Sequence, residues 1–320
     1  MPFASSGGFA LARSEMTIFT LGTRGSPLAL AQARMVALAL EEAHGWTRGS
    51  VTIVPVRTSG DRIQDRPLAE VGGKALWTKE LDLALLGGET DCSVHSMKDV
   101  ESDRPAALRI SAMLPRGDVR DRLIGAGTLA DLPLGAVVGT SSPRRAAQVR
   151  RIRPDLKTVS IRGNVATRLA KREAGEVDAT LLAAAGLDRL GRSEVGSPIA
   201  LDVMLPAPAQ GAVGIECRAD DARTAALLGA IDHADTSAAV AAERAFTLAL
   251  GGTCHSPIAA LARVEGEAID FRCELFSEDG AEHVFESARF AVGDLDAPAA
   301  LAQAMLGRAP RSIRLLFEPE

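Results

Sequence analysis

The sequence predicts an α/β protein, two doubly wound domains with a small α+β domain after them. Three observations carry that reading. Strands alternate with capped helices from residue 18, the alternation restarts near residue 136, and from about His233 the texture changes to one helix followed by alternating strands. A chain of 320 residues with 47% hydrophobic content is long enough for several buried cores.

Residues 1–15 are small and polar, and the apolar pattern begins at Met16; they read as a disordered extension, with Met16 a second candidate start. Strand-like Ile18-Phe19-Thr20-Leu21 then leads through Gly22-Thr23-Arg24-Gly25 to Ser26-Pro27, an N-cap and first-turn proline opening a helix to about His44. Val51 to Val56 is the next strand, and Lys74 to Leu86 a helix stopped by Gly87-Gly88. The polar stretch 57–73 between them is too long for an ordinary connection and is a candidate lid. A third strand follows at Cys92 to His95.

The second set comprises a strand at Ala136 to Gly139, a helix from Pro143 to Arg151, a strand at Thr158 to Ile161, a helix from Asn164 to Glu173 and a strand at Val177 to Leu182. Similar lead-ins, Gly88-Glu89-Thr90-Asp91 and Gly175-Glu176-Val177-Asp178, precede the two closing strands and hint at related builds. Leu205 to Gly211 is stiff and turn-rich, suited to a hinge, and Ala212 to Cys217 is a strand. The third domain holds a helix from Thr236 to Leu250, a cysteine loop, strands around 261–263, 269–276 and 283–291, and a last helix. The division is 16–114 with 210–230 for the first domain, 115–209 for the second and 231–320 for the third.

Charge gives the first functional signal. The formal net charge is -5, yet between Arg144 and Arg172 there are ten Lys or Arg residues and one acid, Asp155. Ser142 and Pro143 set a helix start that puts Arg144 and Arg145 in the first turn, against the positive end of the helix dipole. A bound carboxylate or phosphate would turn that conflict into a site; a solvated basic face is the plainer explanation. Arg24, Arg162, Arg168 and Arg189 are placed alike, in loops, at helix starts or after strands, which suggests a cleft for a substrate with several carboxylates. Val94-His95-Ser96-Met97-Lys98-Asp99 delivers Ser96, Lys98 and Asp99 to the C-terminal edge of the first sheet, where chemistry is expected. Asp99 could stabilise a developing cation or shuttle a proton; an ion pair with a nearby arginine is equally open. His95 reads as a buried, hydrogen-bonded residue.

Several classes are disfavoured. Val71-Gly72-Gly73-Lys74 lacks the spacing of a phosphate loop and Gly22-Thr23-Arg24-Gly25 that of a dinucleotide fingerprint. No cysteine or histidine spacing suits a metal. With no Tyr and 3% aromatics there are no stacking platforms for nucleic acid. No apolar run is long enough to span a membrane, and the start lacks the features of a signal peptide, which points to the cytoplasm. Cys92, Cys217 and Cys273 lie in strand-like runs and read as reduced core residues; Cys254, in a glycine-rich loop, is the one placed to react.

Eight motifs, in order, are specific: Gly22 to Leu30, Val71-Gly72-Gly73-Lys74, His95 to Asp99, Gly139 to Arg145, Arg162-Gly163-Asn164-Val165, Ala185 to Gly191, Gln210 to Cys217 and Gly251-Gly252-Thr253-Cys254. Over about residues 18–260 the chain resembles the porphobilinogen deaminase family. The resemblance implies two periplasmic-binding-protein-like doubly wound domains and a third that carries the cofactor. It implies a transferase of tetrapyrrole biosynthesis, in which Cys254 holds a dipyrromethane cofactor by a thioether. Four porphobilinogen molecules would be deaminated and joined head to tail on that cofactor, and water would release hydroxymethylbilane. Asp99 would stabilise the azafulvene cation left by loss of ammonia, with Lys98 beside it as the second catalytic residue. Arg24, Ser26, Gln32, Arg162, Arg168, Arg189 and Gln210 would bind the substrate's acetate and propionate groups. Ser96, Lys98, Asp99, Thr140, Ser142, Arg144, Arg145 and Lys74 would contact the cofactor, and Arg150, Arg151 and Arg153 would be solvated surface. Trp77 stands where the family usually has Phe, and Thr253 and His255 replace its usual Gly and Gln. The family implies a monomer, and the residues themselves give no sign of a metal, membrane or nucleic-acid partner. The competing class, a bilobal anion-binding solute receptor without catalysis, leaves Cys254 and Asp99 without a task.

Overall fold

A computed structural model of the protein describes residues 18–58, 78–253 and 255–317. The terminal extension 1–15, most of the expected lid, Lys74, Trp77 and Cys254 lie outside the described residues. In chain order the first part gives β1 (Phe19–Arg24), α1 (Pro27–Ala43), β2 (Val51–Val56), α2 (Lys79–Leu86), β3 (Cys92–Ser96), a 3-10 turn at Met97–Asp99 and β4 (Leu108–Met113). Next come β5 (Asp121–Ile124), β6 (Val137–Gly139), α3 (Pro143–Ile152), β7 (Lys157–Val159), α4 (Val165–Glu173), β8 (Ala179–Ala183), α5 (Ala184–Arg189) and β9 (Ser197–Pro198). The chain closes with β10 (Val213–Arg218), α6 (Ala222–Gly229), α7 (Ala234–Ala249), β11 (Ile258–Glu265), β12 (Ala268–Phe276), β13 (His283–Ala291), α8 (Asp296–Arg308) and α9 (Arg311–Arg314).

Two five-stranded sheets share one plan, with orders β2-β1-β3-β10-β4 and β7-β6-β8-β5-β9. In each, three parallel strands are followed by one antiparallel strand from a crossing segment, β10 in the first and β5 in the second. The two lead-ins noted in the sequence do the same work in both sheets. Asp91 accepts from Thr20 N at 2.7 Å, and Asp178 accepts from Val137 N at 2.7 Å, so each aspartate ties its closing strand to the start of the first strand. The third sheet is an antiparallel β11-β12-β13 meander.

Caps set the helix starts as their residue types dictate. Ser26 Oγ accepts from Ala29 N at 3.2 Å and Asn164 Oδ1 from Thr167 N at 2.9 Å, with Ser142 capping α3 in the same manner. Strand β1 runs on through Arg24, because Gly22, Thr23 and Arg24 pair with Val54, Pro55 and Val56; the sequence had suggested a loop there. Each sheet has its own apolar layer: Leu21, Val36, Leu40 and Ile215 in the first, Leu123, Val138, Val149 and Leu181 in the second. In the third, Phe246 and Phe271 pack with ring centroids 5.4 Å apart beside Cys273 and Met305.

The helix α7 and strand β11 are tied to both crossing segments. Glu243, fully buried on α7, accepts from Arg116 Nη1 and Nη2 at 2.8 and 2.9 Å, from Ala209 N at 2.6 Å and from Ala262 N at 2.7 Å. One carboxylate thus gathers both crossing segments and β11. The hinge-like stretch is correspondingly buried, with Leu205, Ala209 and Gln210 all in the interior. Arg150, Arg151 and Arg153 lie half-exposed at the surface, but each has a protein partner there. Arg150 donates to Glu278 O at 2.9 Å, Arg151 lies 3.5 Å from Glu274, and Arg153 is held by Asp155 at 2.7 and 2.8 Å. The first two attach α3 to β12 and the turn after it, where Gly280 at φ +73 comes so close that a Cβ would lie 2.2 Å from Ala147 O.

Candidate active site

The turn bearing Lys98 and Asp99 is fixed from below. Met97 N donates to Ala212 O at 3.1 Å, and the buried Met97 side chain lies against Gly214 on β10, where a Cβ would be 2.1 Å from Sδ. The close approach requires glycine and sets the height of the two residues that follow. Asp99 shares a small cleft with Arg24, Ser26, Gln32, His95 and Ser96. Gln32 is buried and reaches Ser96 Oγ with Nε2 at 2.9 Å, which orients both side chains. His95 is buried, as expected, with Nε2 3.4 Å from Glu216 Oε2.

Among the described residues neither Lys98 nor Asp99 makes a hydrogen bond or salt bridge to protein. Burial lowers the Lys98 pKa to about 8 against the opposing pull of Asp99, and Asp121, Arg145 and Arg144 also act on it. Arg168 of α4, lowered to about 10 by burial, is acted on by Arg145, Asp99 and Arg162. Residues near the C-terminal edges of the two sheets are therefore within electrostatic reach of one another, the side of the sheets where doubly wound folds place their ligands. Gly163, at φ +117, makes the tight turn that lets Asn164 cap α4 and Arg168 Nε reach Gly163 O at 2.9 Å.

The two first-turn arginines of α3 resolve their conflict with the helix dipole inside the protein. Both are buried, and Asp121 at the head of β5 accepts from Arg144 Nη2 at 2.8 Å and Arg145 Nη2 at 2.7 Å. Burial alone would push the Asp121 carboxyl up, yet the two guanidinium groups hold it well below the usual carboxylate range. Arg144 is further fixed by Gln148 Oε1 and Leu205 O at 2.8 and 2.7 Å, and Arg145 by Leu181 O at 2.9 Å. Each keeps one buried, unpartnered Nε. Gln210 belongs to the same cluster, donating to Asp121 Oδ1 at 2.8 Å and Val119 O at 2.7 Å. Arg189 donates to Gly211 O at 2.6 Å, next to the crossing segment. Thr140 is buried below the α3 start and accepts from Ser142 N at 3.2 Å. Asp121 carries no sequence signal of its own: it stands in the charged run Asp118-Val119-Arg120-Asp121-Arg122, which reads as surface.

Comparison with known proteins finds relatives over most of the chain. Residues 19–226 match the family model described as porphobilinogen deaminase, dipyromethane cofactor binding domain, and residues 237–306 match its C-terminal domain. The porphobilinogen deaminase of Sphingopyxis alaskensis is 59% identical, covering 93% of this chain and 96% of that protein. That of Paracoccus denitrificans is 50% identical over 91% of this chain and 94% of that protein. Among solved structures, the periplasmic VFT2 domain of Bordetella pertussis BvgS aligns with TM-score 0.40 and 15% identity, covering 67% of this chain and 86% of that one.

Proposed function

The chain belongs to the porphobilinogen deaminase family, and from that premise we propose how its residues carry the reaction. It is a transferase that deaminates porphobilinogen and joins four molecules head to tail on a covalently held dipyrromethane, giving hydroxymethylbilane. The observation that carries the assignment is the pair Lys98 and Asp99, unpaired among the described residues and facing arginines of the opposite sheet.

The residues present fit the cofactor. When bound, dipyrromethane supplies the pyrrole end onto which substrate is joined, together with carboxylate side chains for the cleft cations to hold. Lys98, Arg145, Thr140 and Ser142 would hold those carboxylates. The orphaned Nε of Arg145 is a donor still open to them. Lys74, by resemblance, joins this group, and Cys254 makes the thioether. Arg144 and Gln210, assigned by resemblance to ligand contact, are engaged with Asp121 and serve the site through it.

Asp99 performs the electrostatic work. Loss of ammonia from the substrate's aminomethyl group develops positive charge on the pyrrole, and a carboxylate beside it lowers the barrier by stabilising that charge. Arg24, Ser26, Gln32, Arg162, Arg168 and Arg189 form the substrate side, binding acetate and propionate groups and so orienting the ring. The domain limits given above, a monomeric state and a cytoplasmic location complete the proposal.

Two measurements test it. Intact mass should exceed the chain mass by two pyrrole rings with their side chains, and Cys254→Ala should lose the excess; active protein at bare chain mass would reject the assignment. Asp99→Asn should load cofactor yet turn over about 10²–10³ times more slowly. Near-normal turnover would make Asp99 structural.

A further inference from the structure

Beneath the Met97–Asp99 turn lies a buried charge cluster that touches no reacting group. Its centre is Arg104, with a side chain only 8% exposed. Its Nε and Nη2 grip both oxygens of Glu216 on β10, at 2.9 and 2.7 Å, and Nη2 also meets Asp82 Oδ1 on α2 at 2.6 Å. On the other side Nη1 lies 3.3 Å from Thr78 Oγ1 and 3.4 Å from Glu101 Oε2, and Thr78 Oγ1 donates to that same oxygen at 3.1 Å. Glu216 in turn lies against His95, the residue before Ser96 on β3. From α7, Arg244 donates to Val100 O, Glu101 O and Ser102 O at 3.1, 2.6 and 3.3 Å.

These contacts bracket the turn. Upstream, His95 is set by Glu216. Downstream, the Glu101 side chain is set by Arg104 and Thr78, and the backbone of residues 100–102 by Arg244. Three carboxylates converge on one guanidinium, an arrangement whose desolvation penalty is offset only if the fork stays in place. Burial pushes Asp82 up toward its neutral form, while Arg104 and His95 hold Glu216 down at about 2. A cluster that served fold stability alone could be replaced by apolar packing. This one is tied to the residues on both sides of the turn, His95 before it and Glu101 after it.

We propose that Arg104 is a positioning residue: by gathering Glu216, Asp82 and Glu101 from three parts of the chain beneath the turn, it fixes the backbone that presents Lys98 and Asp99 to the substrate. The inference rests on Asp99 being the catalytic carboxylate. A displacement of the order of 1 Å at a reacting centre costs up to about 10²-fold in rate.

The test uses cofactor-loaded holoenzyme, its loading verified by mass. In the pair Arg104→Gln/Glu216→Gln one positive and one negative charge are removed together and an amide stands in each place, while Asp82 and Glu101 lose the guanidinium they share. It should keep its cofactor and its KM for porphobilinogen within about twofold, while kcat falls roughly 10- to 100-fold. Arg104→Lys, which keeps the charge but loses the fork, should fall between it and the wild type. A loaded double variant with wild-type kcat and only a lower melting temperature would reduce Arg104 to a stability residue and overturn the proposal. If the double variant does not fold, Arg104→Lys decides: a kcat loss at constant KM supports positioning, and unchanged kcat overturns it. Asp99→Asn, assayed in parallel, separates the two readings, since normal turnover there defeats the catalytic assignment itself whatever Arg104 does.

Discussion

Replacing Asp121 by Asn isolates the force that holds the α3 start in place. The side chain is buried and accepts three charge-assisted or amide hydrogen bonds, from Arg144 at 2.8 Å, Arg145 at 2.7 Å and Gln210 at 2.8 Å. Asn offers one acceptor oxygen, and its amide N–H₂ would be turned toward a guanidinium N–H. Removing one partner of a buried ion pair costs about 3–5 kcal/mol. Two guanidinium groups lose their counter-charge here, so the upper half of that range is expected. Urea melts of loaded wild-type and variant enzyme would measure it. The sign of the pH dependence follows from the lowered Asp121 pKa. The stabilisation is fully present above the unfolded pKa near ~3.9 and is lost as pH falls toward the depressed folded value, so the gap between the two proteins should narrow below about pH 4. Asp121→Asn/Arg144→Gln, with one cation fewer stranded, should recover part of the loss. A cost of less than about 1 kcal/mol at neutral pH, the range of an exposed ion pair, would refute the claim that Asp121 anchors both arginines.

Lys98 should give the reaction its alkaline limb. With a pKa lowered to about 8, its charge is present below that pH and lost as pH rises through it. kcat/KM should therefore decline above about pH 8 and Lys98→Arg should move the decline upward; identical limbs in the two enzymes would exclude Lys98 as its source. Gly214→Ala must displace the buried Met97 thioether, which lies 2.1 Å from where the new Cβ would be. It should cost about 1–3 kcal/mol in a thermal melt and lower kcat with it; an unchanged melt would show that the turn has room.

Much of the frame was legible because its causes are local. Ser26-Pro27, Ser142-Pro143 and Asn164 carry their own capping chemistry, and strands show as short apolar runs bounded by glycine. The charge cluster at α3 was legible as a need for an anion, but not as Asp121, which is 23 residues from Arg144. Glu216 and Arg104 are 112 residues apart, and Glu243 and Arg116 are 127 apart. Such pairs leave no spacing signal, only an acid in an apolar run, as in Gly214-Ile215-Glu216-Cys217. Arg150 and Arg151 looked solvated for the same reason, since their partners lie on a distant turn. Of the cleft expected from Asp99 and the arginines at helix starts, Arg24 shares a small cleft with Asp99 and Arg168 is within electrostatic reach of it, while Arg144 and Arg145 are taken up by Asp121.

The position of β10 bears on the order in which the molecule can be made. It sits between β3 and β4, so β4 has no described neighbour in its sheet until residues 213–218 have left the ribosome. The second sheet draws all its strands from 121–198 and waits for nothing. The inserted half can thus fold before its host is complete, and the host must hold a strand unpaired while roughly a hundred further residues are synthesised, about 5–20 s of translation. During that interval the edge of β3 that later receives β10 is open. The seat beneath Met97, and with it the catalytic turn, comes into being only when Gly214 arrives.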